Sequence, residues 1–230
     1  MSNLTDAVSS LREGKFVLLH DSASRENEID MVVAAQFVTP SYVAKMRSDA
    51  GGLLCLALRH DIANKLDLLY MHDMMHMLSN TNPIMAKLAN GKSPYGDKPA
   101  FSIAINHKQT YTGITDSDRA LTIGEMAKVC SKALNGSDAK QDFASTFRSP
   151  GHVPILIASQ GLLSERLGHT ELAVYLTQLA GLTPAVAICE MLDSSTYKAL
   201  SIDRATQYAK DNDILIVEGN DLKVHFAQVQ

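Results

Sequence analysis

Phe16-Val-Leu-Leu-His-Asp21-Ser-Ala-Ser-Arg25-Glu26-Asn27-Glu28-Ile29-Asp30-Met31-Val-Val-Ala-Ala35 is the stretch on which the architecture turns. Its apolar ends read as two strands, Phe16–His20 and Met31–Phe37. Between them four carboxylates and one arginine fall within the ten residues from Asp21 to Asp30. An unpaired carboxylate is heavily penalised when buried, so this run needs partners or solvent. In an extended segment Glu26, Glu28 and Asp30 project from one face, where they repel one another unless a cation sits among them. Oxygen ligands suit a hard ion such as Mg2+, which keeps water and a substrate oxygen in its shell. In isolation the run also reads as a solvated hairpin turn. The apolar flanks and a second motif near residue 166 favour the cation site.

Outward from this hairpin, helices and strands interleave to both ends. Leu4, Ala7, Val8 and Leu11 fall at helical spacing and Gly14 closes that helix. Thr39-Pro40 starts a helix to about Asp49, as an N-cap followed by proline at the first helical position. Leu53–Leu58 is a buried strand, Phe101–Asn106 a half-buried one, and Val153–Ala158 another. Thr122 with Glu125 reads as a capping box for a helix that stops at Asn135-Gly136. Leu172–Ala180 is a helix closed by Gly181, and a further helix at about 201–211 separates strands Ala185–Cys189 and Ile214–Val217. No linker or repeat divides the chain, so residues 1–230 read as one mixed α/β domain, α+β in the broad sense, with the sheet order left open.

The bulk properties exclude several classes. At 46% hydrophobic, 20% charged and a net charge of −4, the chain lacks the basic balance of a nucleic-acid module. No apolar run approaches the ~20 residues of a membrane helix, and the N-terminus lacks signal-peptide regions. Cys55, Cys130 and Cys189 are odd in number and without paired spacing, which reads as reduced and intracellular. The glycosylation-like triplets at Asn3 and Asn135 are then coincidental.

The second motif is Arg166-Leu167-Gly168-His169-Thr170-Glu171, just before the Leu172 helix. Thr170 reads as its N-cap. The free N–H groups and positive end of the dipole, Gly168 for close approach and Arg166 for two hydrogen bonds together suit a phosphate. His169 could complete a metal site with the acidic loop; the alternative is a plain capped helix with a surface arginine. His152 follows a Pro150-Gly151 turn at a strand mouth and suits proton transfer. Glu190 ends the Ala185–Cys189 strand, where it is either a base or a solvated strand end. Thr112–Arg119 is a polar loop, Cys55 sits inside an apolar strand, and the His72/His76/Met cluster fits a mobile flap better than a soft-metal site.

Taken together, six segments resemble the 3,4-dihydroxy-2-butanone 4-phosphate synthase family: Arg25-Glu-Asn-Glu-x-Asp30, Asp49-Ala-Gly-Gly-Leu-Leu-Cys55, Thr112-Gly-Ile-Thr-Asp-x-Asp-Arg119, Arg148-Ser-Pro-Gly-His-Val153, Arg166-x-Gly-His-Thr170 and Ile188-Cys-Glu190. The resemblance spans about residues 4–225 and is nearest the archaeal-type single-domain members, with no cyclohydrolase domain fused. It implies a single-domain α/β sandwich and a cytoplasmic lyase of riboflavin biosynthesis. The implied reaction takes D-ribulose 5-phosphate to L-3,4-dihydroxy-2-butanone 4-phosphate plus formate. The resemblance further implies Mg2+, with Mn2+ able to substitute, no organic cofactor, no nucleic-acid or membrane partner, and a homodimer with shared active sites.

Residue by residue, the resemblance makes Glu26 and His169 metal ligands, with substrate contacts as well. Arg25, Asp30, Thr112, Arg166, Leu167, Gly168 and Thr170 match substrate contacts. His152 and Glu190 match proton-transfer positions, Glu190 also touching substrate, and Asp21, Glu28 and Cys55 match further residues of the reacting pocket. In the dimer so implied, Arg166–Thr170 of one subunit is expected to face Glu26 of the other. The family's usual stretch after Cys-Glu is replaced by Leu192–Ala199, leaving that loop's path open, and the 70–98 segment is the candidate lid. A ketose phosphate needs an anion cradle, and an enediolate needs a Lewis acid, so residues and resemblance agree. Rival readings are a silent phospholigand-binding protein and a metal-dependent phosphosugar isomerase or aldolase; no Gly-x-Gly-x-x-Gly supports an oxidoreductase.

Overall fold

The computed structural model of the protein describes residues 4–89, 96–136 and 138–229. Asn3, Ser137 and residues 90–95 of the expected lid segment lie outside them. One seven-stranded sheet organises the fold: β1 (Val17–His20), β2 (Ile29–Ala34), β3 (Cys55–Leu58), β4 (Phe101–His107), β5 (Phe147–Ile157), β6 (Ala185–Glu190) and β9 (Leu215–Glu218) run in the order β4-β5-β3-β6-β2-β1-β9. β7 (Leu192–Asp193) and β8 (Lys198–Ala199) form a separate hairpin, which is the path of the 192–199 segment. Pairing is mixed: β3–β5 and β1–β9 are parallel, while β1–β2, β2–β6, β3–β6 and β4–β5 are antiparallel.

Side chains alternate across this sheet into two apolar layers. Leu18, Met31, Val33, Leu56, Leu58 and Ala187 enter one, packed by α2 (Pro40–Lys45), α6 (Asp116–Leu134) and α9 (Ile202–Asp211). Val17, Leu19, Val32, Ala57, Val186 and Ile188 enter the other, under α1 (Leu4–Arg12), α8 (His169–Leu179) and α10 (Gly219–Gln228). Burial on both faces is why the central strands are continuous apolar runs in sequence. Leu56 and Met31 are fully buried, so truncating either to Ala costs about 2–5 kcal/mol.

Several local expectations are corrected. The second strand ends at Ala34, because Ala35–Phe37 turns into a 3-10 helix, and α2 passes into a π-helical turn, Met46–Ala50. α6 starts six residues before Thr122: Thr115 caps it by accepting from the Asp118 N–H. Thr122 instead donates to the Asp118 carbonyl and accepts the His107 N–H, inside the helix. The N-cap of α8 is Gly168, so Thr170 lies in its first turn. The Pro150-Gly151 pair belongs to β5 itself, opposite β4. α3 (His60–Lys65), α4 (Met71–Met77), α5 (Pro83–Ala89) and α7 (Ala139–Thr146) complete the elements. No described helix is long and apolar enough to cross a membrane.

Candidate active site

A cleft of about 350 Å³ opens where β2, β3 and β6 meet the start of α8, lined by Arg25, Glu26, Glu28, Asp30, Cys55, Arg166, His169, Thr170 and Glu190 among others. Asp30 and Glu190 are direct cross-strand neighbours on β2 and β6. Like charges so placed repel, and protonation of Asp30 or a nearby cation relieves the pair. The loop before β2 is not extended, since Asn27 adopts φ 56°, a left-handed conformation that asparagine accepts more readily than most residues. Glu26, Glu28 and Asp30 nevertheless all reach the cleft.

Asp21 shapes this loop. Its carboxylate accepts the Glu26 N–H at 3.0 Å and the Glu28 N–H at 3.1 Å, and pairs with Arg25 at 3.3 Å. From the other side His20 Nδ1 meets Glu218 at 2.6 Å while its Nε2 meets Asn27 Oδ1 at 3.2 Å.

His169, on α8, closes the site. Its Nε2 lies 3.1 Å from the Glu28 carbonyl oxygen. A carbonyl can only accept, so Nε2 donates to it, and in the metal-free protein Nδ1 donates to Glu26 Oε2 at 3.1 Å, which makes Nδ1 the nitrogen a metal would take. Asp21, Glu26 and His169 offer ligand atoms all within 4.8 Å of one another. This donor set fits a hard divalent ion: an imidazole oriented through Nε2, which would give up its Nδ1 proton to bind, plus carboxylates. Asp21 already spends its oxygens on the loop amides, which leaves Glu26 and His169 as the better pair.

The charge balance shows in the protonation equilibria. Burial disfavours the His169 imidazolium, but Asp30, Glu26 and Asp21 outweigh it and hold its pKa up to about 9. Burial, with Glu190, Glu26 and Glu28 adding to it against the pull of His169, raises Asp30 to about 7; its Oδ1 has no hydrogen-bond partner. Glu28 is raised by burial and by Glu26. Burial also pushes up the Cys55 thiol, so it stands in the cleft as a neutral group rather than a thiolate nucleophile.

The anion side is equally built. A β-carbon on Gly168 would come within 2.7 Å of Arg166 NH1 and 2.9 Å of Arg25 NH2, so both guanidiniums close on this α-carbon at the uncapped start of α8. Arg166 is braced by the fully buried Glu171 at 2.7 Å. Glu190 is held at its strand end by the Leu53 N–H at 2.8 Å, and Gly52 leaves room for it: a β-carbon there would lie 2.6 Å from Glu190 Oε2.

Two expected site residues stand outside the cleft, and a third turns away from it. His152 and Thr112 are exposed, tied together by Asn106, which accepts the His152 N–H at 2.8 Å and donates to the Thr112 carbonyl at 3.1 Å. Leu167 packs into the α8-side core. The expected opposition of Arg166–Thr170 and Glu26 across subunits is overturned, because both segments line one cleft of one chain. Asp97 was missed. It reaches Arg25 Nε and NH2 at 3.4 Å and Arg166 at 3.5 Å from an aperiodic Gly-Asp-Lys-Pro turn, where only its charge was a signal.

Comparison with known proteins settles the family. The family model described as 3,4-dihydroxy-2-butanone 4-phosphate synthase matches residues 5–225. The chain belongs to that family. The family's enzyme from Methanothermobacter thermautotrophicus is 43% identical over 95% of this chain and 93% of its own length. That from Archaeoglobus fulgidus is 42% identical over 96% and 92%. A riboflavin biosynthesis protein of Bacillus cereus is 34% identical over 95% of this chain but only 48% of its own. Among solved structures, the family's enzyme in complex with two magnesium ions aligns with a TM-score of 0.80 at 28% identity, covering 99% of this chain and 98% of that one. The Candida albicans enzyme aligns at 0.76 and 31%, covering 98% of each. The family's α+β sandwich is therefore the fold of this chain.

Proposed function

We propose that the chain is a lyase of riboflavin biosynthesis that converts D-ribulose 5-phosphate to L-3,4-dihydroxy-2-butanone 4-phosphate plus formate, acting in the cytoplasm as one domain over residues 1–230. The observation that carries this reading is the Glu26–His169 Nδ1 pair beside the Arg25/Arg166 cradle in one cleft. Glu26 and His169 would hold Mg2+, with Mn2+ an acceptable substitute and no organic cofactor; a related enzyme in complex with two magnesium ions supports the metal. Bound there, the ion supplies Lewis-acid stabilisation to negative charge developing on substrate oxygens.

The chain's own residues do the rest. Arg25, Arg166 and the first N–H groups of α8 at Gly168 and Thr170 hold the phosphate. Glu28, Asp30 and Glu190 face the sugar as proton carriers; burial raises the Glu28 carboxyl and brings Asp30 to about 7, where proton exchange near neutral pH is feasible. Asp21 keeps Glu26 and Glu28 in position, and Cys55 packs the cleft floor as a neutral thiol. The described parts of the 70–98 segment, α4 and α5, bury no residue and form the candidate cover.

His152 and Thr112 join through a partner subunit. Their exposure, their common tether to Asn106 and the neighbouring exposed apolar side chains of Tyr111 and Ile114 support a homodimer with shared sites. The test is incubation with ribulose 5-phosphate and Mg2+, with formate and the four-carbon product measured. A five-carbon product would indicate an isomerase, and no turnover a binding protein.

A further inference from the structure

We propose that Asp97 is a built-in occupant of the anion cradle, a carboxylate that an incoming phosphate must displace. The inference rests on reading Arg25, Arg166 and the start of α8 as the phosphate site. Asp97 Oδ2 lies 3.4 Å from two nitrogens of Arg25 and 3.5 Å from Arg166 Nε, so one oxygen bridges both guanidiniums. That is the position a phosphate oxygen takes when two guanidiniums share it.

Of the other carboxylates on these arginines, Glu26, 3.0 Å from Arg25 NH1, is engaged by His169, and two are fixtures. The Asp21 side chain is 0% exposed and tied to two loop amides, and that of Glu171 is 1% exposed and accepts the Ser159 N–H. Asp97 is a third exposed, at 33%, and comes from neither the sheet nor α8. A phosphate monoester brings close to two charges and three acceptor oxygens near neutral pH, and so displaces a single carboxylate. Monoanions such as formate meet the same competitor with one charge and two oxygens. Asp97 therefore lowers the affinity of every anion, leaving the dianion bound and monoanions largely excluded.

Calorimetric titration of inorganic phosphate into the intact protein tests this. Asp97→Asn is expected to tighten phosphate roughly three- to tenfold, the scale of two partly exposed ion pairs, and Asp97→Ser should do the same. Asp73→Asn removes the same charge close by, and is expected to change affinity less than about twofold. Formate measured as a competitor of phosphate should gain by a similar factor in Asp97→Asn. Unchanged or weaker phosphate binding in both Asp97 variants overturns the inference, as does equal tightening in Asp73→Asn. Arg166→Ala separates the underlying reading: retained phosphate affinity there sinks the cradle itself, whereas lost affinity with no Asp97 effect sinks only the occupancy.

Discussion

His169 Nδ1 lies 3.1 Å from Glu26 Oε2, although 143 positions separate the two in the chain. The contact forms because β2 and the start of α8 meet on one side of the sheet, and because the Glu28 carbonyl takes the other imidazole nitrogen. A main-chain oxygen thus fixes which imidazole nitrogen remains for a metal, so the ligand geometry depends on the loop that Asp21 folds.

Loss of either member of this pair should therefore be severe. Glu26→Gln and His169→Ala are each expected to lower formate production by at least about a hundredfold, since the nearby Asp21 carboxylate is already committed to Arg25 and two loop amides. Chelator should abolish turnover and Mg2+ restore it. Thermal melting gives an independent readout: Mg2+ should raise the midpoint of the wild-type protein and not of His169→Ala. Full activity after metal stripping would remove the metal from the mechanism.

The metal-free protein should lose stability as pH rises. Asp30 is raised from 3.8 to about 7 and His169 from 6.5 to about 9, so the folded state holds both protons more tightly than the unfolded one. Their contribution is fully present below each unfolded value and disappears through the folded one. Between roughly pH 4 and pH 9 the loss should reach a few kcal/mol, seen as a falling denaturation midpoint in chelator. His169→Ala should flatten the upper part of that slope. A midpoint that rises with pH over the window would contradict the assigned charge pattern.

Arg166→Ala should raise the KM for ribulose 5-phosphate by about tenfold to a hundredfold, the worth of one or two charge-assisted hydrogen bonds. Unphosphorylated ribulose should be a very poor substrate for the wild type. Breaking the brace behind the arginine is a different perturbation. Glu171→Ala leaves a guanidinium short of its partner, and Arg166→Ala strands the buried Glu171 carboxylate, so each should also destabilise the fold, by about 3–5 kcal/mol, and KM is read well below the melting midpoint. Equal turnover of the two sugars by the wild type would refute the phosphate site.

Much of this was legible where sequence carries a single physical message. β2, β3 and β6 are buried on both faces and so read as unbroken apolar runs, and the carboxylates between β1 and β2 read as needing partners, which Arg25, two loop amides and His169 supply. Signals with two solutions were misread. Thr122 has the spacing of a capping box, but its hydroxyl serves the His107 amide from inside α6, and Thr115 caps instead. Thr170 reads as a cap by residue type, but the helix already starts at His169, with Gly168 as its N-cap beside the two guanidiniums. Sheet order, the β7–β8 hairpin and the Asp97 contact depend on tertiary packing that no local pattern encodes. The opposition of Arg166 and Glu26 across subunits failed for the same reason, and with it the pair of variants suited to test sharing changes.

Shared sites should now be tested with Glu26→Gln and His152→Ala. Glu26 lines the cleft of its own chain, whereas His152 is exposed outside it, held toward solvent by Asn106. If His152 serves the partner's cleft, each variant alone is inactive in both sites of its homodimer. A heterodimer of the two has one site with both residues intact and one lacking both. Random exchange makes half the dimers mixed, so about a quarter of wild-type activity should return, a share fixed by two-fold symmetry. Asn106→Ala should impair the proton-transfer role of His152 without touching the metal pair, lowering kcat more than it changes KM. If subunit exchange is demonstrated and no activity returns, His152 and Glu26 act within one chain, and the cleft must reshape to bring them together.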